Sequence, residues 1–357
     1  MISRASMNSV ISIDKRATTV RELMKPLAPI LALADVTELA VTRPGGVWAN
    51  TRGAWVWHDA TQLTYEHLYA LANALAVYNG MPLRSILSVV LPDGERGQVV
   101  TPPACIDNTL SINIRKHAAR AFSLTELEDQ GVFSGVNDVS FNRYTADRIN
   151  ALCNATDMTR IDGEEAELLH LKSEMRWREF LIKAVEYKRN IIISGKTGSG
   201  KTTFARSLTQ VIPTHERVVT IEDVHELKLD DHPNRVHLLY GTTSGRVSSQ
   251  DALAACMRLS MDRILLAELR GDEAWDYLTS LNTGHPGSIT TTHANNAIQT
   301  YERVASLVKK SPAGHDIAID MIRQLLYTTL EVVLYYKDRT LKEVFYDPSF
   351  SKSKLAN

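Results

Sequence analysis

One short motif limits what this chain can fold into more than any other feature of its sequence. Residues 195–202 read Gly-Lys-Thr-Gly-Ser-Gly-Lys-Thr and fit the phosphate-binding pattern Gly-x-x-x-x-Gly-Lys-Ser/Thr at every position. An apolar strand pattern at 190–194 precedes this loop, and a helix pattern at 201–211 follows it. A strand, a glycine-rich loop and a helix in this order predict a nucleotide-binding domain of the α/β class.

The residue types in the loop suit a nucleoside triphosphate. Glycines let backbone amides close around phosphate oxygens, Lys201 supplies a positive charge to the β and γ phosphates, and the Thr202 hydroxyl can ligate Mg²⁺. The helix that begins here directs its positive end at the same anions. We therefore predict ATP and Mg²⁺ as cofactors. The predicted nucleotide-binding residues are Gly195, Lys196, Thr197, Gly198, Ser199, Gly200, Lys201, Thr202 and Thr203.

The rest of the chain divides into regions with different patterns. From about residue 166, strands and helices alternate, which predicts a RecA-like P-loop domain over 166–357 with a mostly parallel sheet. Residues 1–120 predict a mixed α+β N-terminal domain, with a hairpin over 36–49 and an amphipathic helix over 64–79. The weakly patterned segment 121–165 is predicted to be a linker carrying one or two short helices.

Three further predicted strands of the second domain end in residues suited to the same site. They are followed by Glu222 with Asp223, by Glu268 and by His293. Because ligands of parallel sheets bind at the carboxyl ends of the strands, we expect these side chains to converge on the phosphate loop. The structural alternatives are a loop cap for Glu222 and Asp223 and a core or loop histidine for His293.

Glu268 is the predicted residue that orients or activates the attacking water. Many P-loop enzymes place an aspartate just before this position to hold the metal, but here that position is Ala267. We therefore predict that Glu222 or Asp223 supplies the acidic group near Mg²⁺, through water, beside the ligand Thr202.

Composition makes several other classes of protein less favourable. Lys plus Arg number 40 and Asp plus Glu 41, so no net positive charge draws nucleic acid to the chain. The three cysteines stand far apart without a Cys-x-x-Cys zinc pattern. No apolar run of about 18 residues predicts a membrane span, and residues 1–16 lack the apolar run of a signal peptide. A cytoplasmic protein is the expectation, with surface attachment to a membrane complex left open.

Four segments together resemble the VirB-eleven-like traffic ATPases of type IV secretion systems, within the superfamily of secretion and pilus-motor ATPases. Their order and spacing agree with that family, which also lacks the aspartate at the position of Ala267. The segments are the loop at 195–203, Thr-Ile-Glu-Asp-Val-His-Glu-Leu at 220–227, Asp-Arg-Ile-Leu-Leu-Ala-Glu-Leu-Arg-Gly at 262–271, and the histidine segment 284–295 with Gly-His-Pro-Gly at its start.

The first domain is similar to the family at Leu-Pro-Asp-Gly-Glu-Arg, residues 91–96, and Ser-Ile-Asn-Ile-Arg-Lys, residues 111–116. In the family, arginines of these segments reach the nucleotide phosphates. The resemblance thus implies that Arg96 and Arg115 bind phosphate and neutralise charge in the transition state. The alternative is that both are ordinary surface arginines on hairpins.

The resemblance also implies a ring-shaped homo-hexamer with nucleotide between the two domains, in which ATP turnover is coupled to domain motion. Such motion would drive substrate translocation and pilus biogenesis. The implied partners are other type IV secretion components at the inner membrane and, indirectly, protein or nucleoprotein cargo; the implied location is cytoplasmic, peripheral to that membrane. The length of 121–165 suggests the longer-linker form of the family, in which the nucleotide-binding domain is exchanged with a neighbouring subunit.

Two alternatives remain. The first is a type II secretion or type IV pilus motor of the same superfamily, whose assembly members typically carry paired Cys-x-x-Cys zinc motifs and whose retraction members lack them. The second is a nucleotide-gated scaffold with little hydrolysis, against which Glu268 and His293 argue.

Overall fold

A computed structural model describes residues 15–51, 53–116, 121–241 and 246–355, and these residues form two compact units. Residues up to 116 build the first unit, and residues from 121 onwards build the second. Within the described ranges, no helix is both long and apolar enough to cross a membrane.

The first unit contains a six-stranded antiparallel sheet in the order β3-β2-β1-β6-β5-β4. Its elements are α1 (Lys15–Met24), α2 (Ala28–Leu31), β1 (Val36–Val41), β2 (Gly46–Thr51), β3 (Ala54–Asp59), α3 (Tyr65–Tyr78), β4 (Ile86–Val90), β5 (Arg96–Val100) and β6 (Ser111–Arg115). The predicted hairpin is the β1–β2 pair. The predicted helix is α3, which begins where the Thr64 hydroxyl accepts a hydrogen bond from the backbone N–H of His67.

The first unit's core lies between α3 and the sheet. Leu68, Leu71 and Leu75 recur at helical spacing and are completely buried, in one cluster with alternate strand residues such as Ile112 and Ile114. The mixed α+β prediction for this region is confirmed.

The second unit contains an eight-stranded sheet in the order β10-β9-β11-β12-β8-β13-β14-β7. Its helices are α4 (Leu124–Asp129), α5 (Ala146–Cys153), α6 (Gly163–Ser173), α7 (Trp177–Glu186), α8 (Lys201–Thr209), α9 (Ser249–Cys256), α10 (Ala274–Leu281), α11 (Ala297–Lys310), α12 (Ile319–Thr329) and α13 (Pro348–Ser353). Its strands are β7 (Asn137–Asp138), β8 (Ile191–Ser194), β9 (Val218–Glu222), β10 (Arg235–Leu239), β11 (Arg263–Leu266), β12 (Ile289–Thr292), β13 (Val332–Lys337) and β14 (Thr340–Phe345).

This sheet is parallel except where β14 pairs antiparallel with β13. Both faces are covered, because Ile191 and Ile193 of β8 pack in one hydrophobic cluster and Ile192 packs in the other. The predicted mostly parallel sheet is therefore confirmed. The in-register pairs Thr292↔Ser194 and Leu266↔Ile221 align the carboxyl ends of these strands at one edge, which is where the predicted site residues begin.

The segment 121–165 packs within the second unit. It supplies β7, which pairs with β14 at the edge of the sheet, and its buried Leu124, Leu127, Phe133 and Ile149 share a cluster with β8 and α8. These apolar side chains are removed from water only by that packing, which explains why the segment is structured rather than extended. Its role in domain exchange between subunits stays a prediction.

Candidate nucleotide-binding site

The phosphate loop connects β8 to α8, with its glycines in conformations that other residues rarely adopt. Gly195 and Gly200 have φ values of 155° and 99°. A Cβ at Gly195 would lie 2.1 Å from the carbonyl oxygen of Tyr336, so the loop passes too close to β13 for a side chain. The Ser199 hydroxyl is buried and lacks a hydrogen-bond partner in the described structure. It is therefore able to donate a hydrogen bond to a phosphate oxygen.

Lys201 is the first residue of α8 and is buried, with 7% of its surface exposed. Its Nζ donates hydrogen bonds to the carbonyl oxygens of Gly195 and Lys196, at 2.9 Å each, and lies 3.4 Å from Nδ1 of His293. This geometry fixes a positive charge inside the loop. Thr202 and Thr203 follow in the first turn of α8, half-buried.

His293 follows β12 and bridges Lys201 to Glu268. Its Nε2 lies 2.8 Å from Oε1 of Glu268. Burial and the charge of Lys201 lower the pKa of His293 against the opposing effect of Glu268, which favours a neutral ring. Nδ1 also lies 3.1 Å from the carbonyl oxygen of Gly195, so Lys201 and the loop backbone meet the ring at one nitrogen and Glu268 faces the other.

Glu268 follows β11, where Arg270 binds one of its carboxylate oxygens and the His293 ring lies beside the other. One terminal nitrogen of Arg270 donates to Oε2 of Glu268 at 2.6 Å, and the other donates to Oδ2 of Asp223 at 2.9 Å. Burial raises the pKa of Glu268, but the Arg270 hydrogen bond and the neighbouring positive charges outweigh it, so the pKa lies below its ordinary value. The carboxylate is therefore ionised at neutral pH, as a water-orienting group requires.

Arg270 also belongs to this network, although no role was predicted for it from the sequence. The available signal was its position two residues after Glu268, because alternate residues of an extended segment project to the same side. Its second partner, Asp223, lies 47 residues earlier in the chain.

Glu222 is engaged in its own loop. Its side chain is completely buried, and Oε2 accepts hydrogen bonds from the backbone N–H groups of Glu226 and Leu227, both at 2.7 Å. Oε1 accepts a hydrogen bond from the Thr220 hydroxyl at 2.8 Å. The carboxylate thus shapes the turn after β9, which is the loop-cap alternative for this residue.

The two predicted acidic groups therefore have different surroundings. Burial raises the pKa of Glu222, but hydrogen bonds from His225, His237 and the loop lower it to about 2. Asp223 is the residue that Arg270 connects to Glu268. Of the two predicted acidic groups, Asp223 therefore belongs to the network with Glu268, whereas Glu222 is bound within its own loop.

A buried ion pair between Arg263 and Glu216 lies next to Gly287 of the histidine segment. The sequence patterns did not indicate this pair. Arg263 is completely buried, and its guanidinium donates to Glu216 at 2.5 and 3.2 Å. A Cβ at Gly287 would lie 2.8 Å from Arg263 Nη1, which explains the glycine at this point of the segment. The pair is structural, since removing one partner of a buried pair leaves a costly unpaired charge.

Arg96 and Arg115 lie in the first unit, directly opposite each other on β5 and β6. Side chains of an opposed pair emerge on the same face of a sheet, and like charges there repel each other. Glu38 on β1 is opposite Arg115 on its other side.

Comparisons with known proteins agree with one another. The family model described as "Type II/IV secretion system protein" matches residues 159–336. The chain is 38% identical over 354 residues to the type IV secretion system protein VirB11 of Brucella suis biovar 1, covering 95% of this chain and 93% of the relative. It is 38% identical over 327 residues to the type IV secretion system protein PtlH of Bordetella pertussis, covering 88% and 89%.

Two solved structures are also similar. The crystal structure of the VirB11 ATPase from the Brucella suis type IV secretion system, in complex with sulphate, is 37% identical with a TM-score of 0.53, covering 96% of this chain and 98% of that one. The ATPase DotB of Legionella pneumophila has a TM-score of 0.56 at 16% identity, covering 95% and 87%, which is a likeness of fold alone.

Proposed function

Because this chain belongs to the VirB11 family of type IV secretion system ATPases, we propose that it is a hexameric motor that hydrolyses Mg-ATP. Nucleotide-driven domain motion would power substrate translocation and pilus biogenesis. The observation that carries the proposal is the continuous network from Lys201 through His293, Glu268 and Arg270 to Asp223, since it joins a phosphate-binding cation to an ionised carboxylate.

Each side chain of this network has a proposed task. Lys201 exchanges its carbonyl acceptors for oxygens of the β and γ phosphates. Glu268 accepts a hydrogen bond from the attacking water and so orients it, while Arg270 holds the carboxylate in place and His293 lies against its other oxygen. Ser199 donates its unpaired hydroxyl to a phosphate oxygen.

The residues that would hold Mg²⁺ are Thr202, by its hydroxyl, and Asp223, through water. Bound Mg²⁺ neutralises charge on the phosphates. The hydroxyl and the carboxylate are hard oxygen donors, which suit this ion. Asp223 already pairs with Arg270, so the ion and the guanidinium would share one carboxylate.

The proposed setting follows from the relatives, which are named as type IV secretion system proteins. We propose a homo-hexamer in the cytoplasm, attached peripherally to the inner membrane through other secretion components. Transported protein or nucleoprotein would be an indirect partner.

Gel filtration with light scattering tests the hexamer, run on the full chain with and without ATP and Mg²⁺. We expect a mass near six chains, about 240 kDa from the 39.8 kDa chain, in the presence of nucleotide. A stable monomer at micromolar concentration with saturating nucleotide would count against the motor.

Replacing Arg96 or Arg115 by alanine is expected to reduce ATP turnover by about 10- to 1,000-fold, because a charge that stabilises the transition state is lost. The melting temperature should fall less than the activity, because apolar residues other than these two arginines form the core of the unit. Steady-state turnover and thermal melting are measured together.

Arg84→Ala is the matched control, because Arg84 is an exposed arginine of the same unit. Its turnover should equal that of the parent. Parallel losses of activity and melting temperature in the Arg96 and Arg115 variants would favour a purely structural role.

A further inference from the structure

A second cluster of metal-ligating side chains lies outside the network that joins Lys201 to Asp223. It consists of Glu222 at the end of β9, His225 in the following turn and His237 on β10. One ligand atom from each of the three lies within 4.8 Å of the other two. In the described part of the chain, no other such group of three occurs.

The separations between these atoms suit a single small dication. Oε1 of Glu222 lies 3.2 Å from Nδ1 of His225 and 3.7 Å from Nδ1 of His237. Ligands of a tetrahedral Zn²⁺ at bond lengths of about 2.0 Å stand about 3.3 Å apart. Only small movements would therefore bring all three atoms to bonding distance of one ion.

The carboxylate is oriented before any ion arrives. The backbone N–H groups of Glu226 and Leu227 hold Oε2, so that Oε1 is the oxygen turned toward the two imidazoles. Outer hydrogen bonds of this kind position metal ligands in proteins. The register pair of His237 with Thr220 fixes the second imidazole on the same side of the sheet.

Solvent reaches the cluster from the histidine side. The Glu222 side chain is completely buried, whereas the side chains of His225 and His237 are 41% and 22% exposed. The exposed edge gives an ion a path inward and leaves room for water as a fourth ligand. A buried carboxylate beside two accessible imidazoles concentrates negative potential where the ion would bind.

We propose that Glu222, His225 and His237 bind one borderline divalent transition-metal ion, of which Zn²⁺ is the representative. Two imidazoles and one carboxylate suit Zn²⁺, while Mg²⁺ prefers oxygen ligands alone. The site is therefore chemically distinct from the one proposed for Mg²⁺ at Thr202 and Asp223. On binding, each ring ligates through Nδ1 and carries its proton on Nε2.

The bound ion would connect the turn after β9 to β10. Without it, the His225 ring and the Thr220 hydroxyl are within hydrogen-bonding distance of Oε1, and His237 lies 2.8 Å from Thr220. The structural alternative is that these hydrogen bonds alone hold the turn and that no ion binds. The proposed metal site and this alternative predict different affinities of the chain for metal ions, which a titration measures.

The test titrates the full chain, purified without a histidine tag and stripped with a chelator, with Co²⁺ and then with Zn²⁺ in competition. The visible absorption of Co²⁺ reports both stoichiometry and low coordination number. We expect one equivalent to bind the parent. His225→Gln and His237→Gln should each weaken binding by at least about tenfold.

Two further variants make the result specific. His315→Gln removes an exposed histidine of the same unit, which contacts the neighbouring Asp316, and should bind like the parent. His293→Gln tests whether the ion binds instead at the nucleotide site, beside Glu268. This variant should also bind like the parent. Circular dichroism checks that each variant is folded.

Three results would overturn the proposal. The first is a parent chain that binds no Co²⁺ or Zn²⁺ at micromolar concentration. The second is unchanged affinity in both the His225 and the His237 variants. The third is loss of binding in the His293 variant alone, which would place the ion at the nucleotide site.

Discussion

Lys201→Ala is expected to lower ATP turnover by at least about 100-fold and to weaken nucleotide binding. The Lys201 ammonium is buried at the first residue of α8, and alanine leaves the β and γ phosphates without that charge. The substitution also removes the hydrogen bonds that the ammonium donates to the carbonyl oxygens of Gly195 and Lys196, so thermal melting checks that the variant is folded. Turnover and equilibrium binding of a fluorescent ATP analogue are the measurements.

Lys183→Ala serves as the control, since Lys183 is a half-buried lysine of the same unit that pairs with Glu186 on α7. It should hydrolyse ATP at the parental rate. A Lys201→Ala protein that still turned over ATP within threefold of the parent would contradict the assignment of the phosphate loop.

Glu268→Gln is expected to retain nucleotide binding while hydrolysis falls by about 100- to 10,000-fold. The amide keeps the volume of the carboxylate but cannot accept a proton from water. It also presents an N–H group to either Arg270 or His293, where the parent has only acceptors. Single-turnover hydrolysis and nucleotide affinity separate the chemical step from binding.

Glu302→Gln removes the charge of an exposed glutamate that pairs with Arg323, and it provides the comparison. That variant should be active. Parental hydrolysis by the Glu268 variant would favour the scaffold alternative or another water-orienting residue, and a loss of nucleotide binding would indicate that the carboxylate is needed for the shape of the site.

Local patterns were sufficient for much of this architecture. The phosphate loop follows from eight consecutive residues, and the neighbouring strands are short apolar runs that alternate with helices, as is typical of a parallel sheet covered on both faces. Because such a sheet aligns its carboxyl ends, the meeting of Lys201, Glu268 and His293 could be predicted from strand ends alone.

Features that depend on distant contacts could not be predicted in this way. Glu222 and Asp223 are neighbours at a strand end, where successive side chains point to opposite sides, and only the structure shows which of them meets Arg270. Arg263 belongs to an apolar strand pattern, yet its partner Glu216 is 47 residues away. In the segment 121–165, the apolar residues are spread over elements too short to show periodicity.

The position of β7 bears on which part of the chain can be stable alone. This two-residue strand pairs with Glu343 and Val344 of β14, and Lys172 anchors the segment by hydrogen bonds to Ser140 and to the carbonyl oxygen of Tyr346. An unprotected edge strand is a template for intermolecular β-pairing and aggregation. A fragment that begins at 166 would lack β7 and leave this edge of β14 unpaired, so we expect the smallest stable nucleotide-binding fragment to start near residue 121.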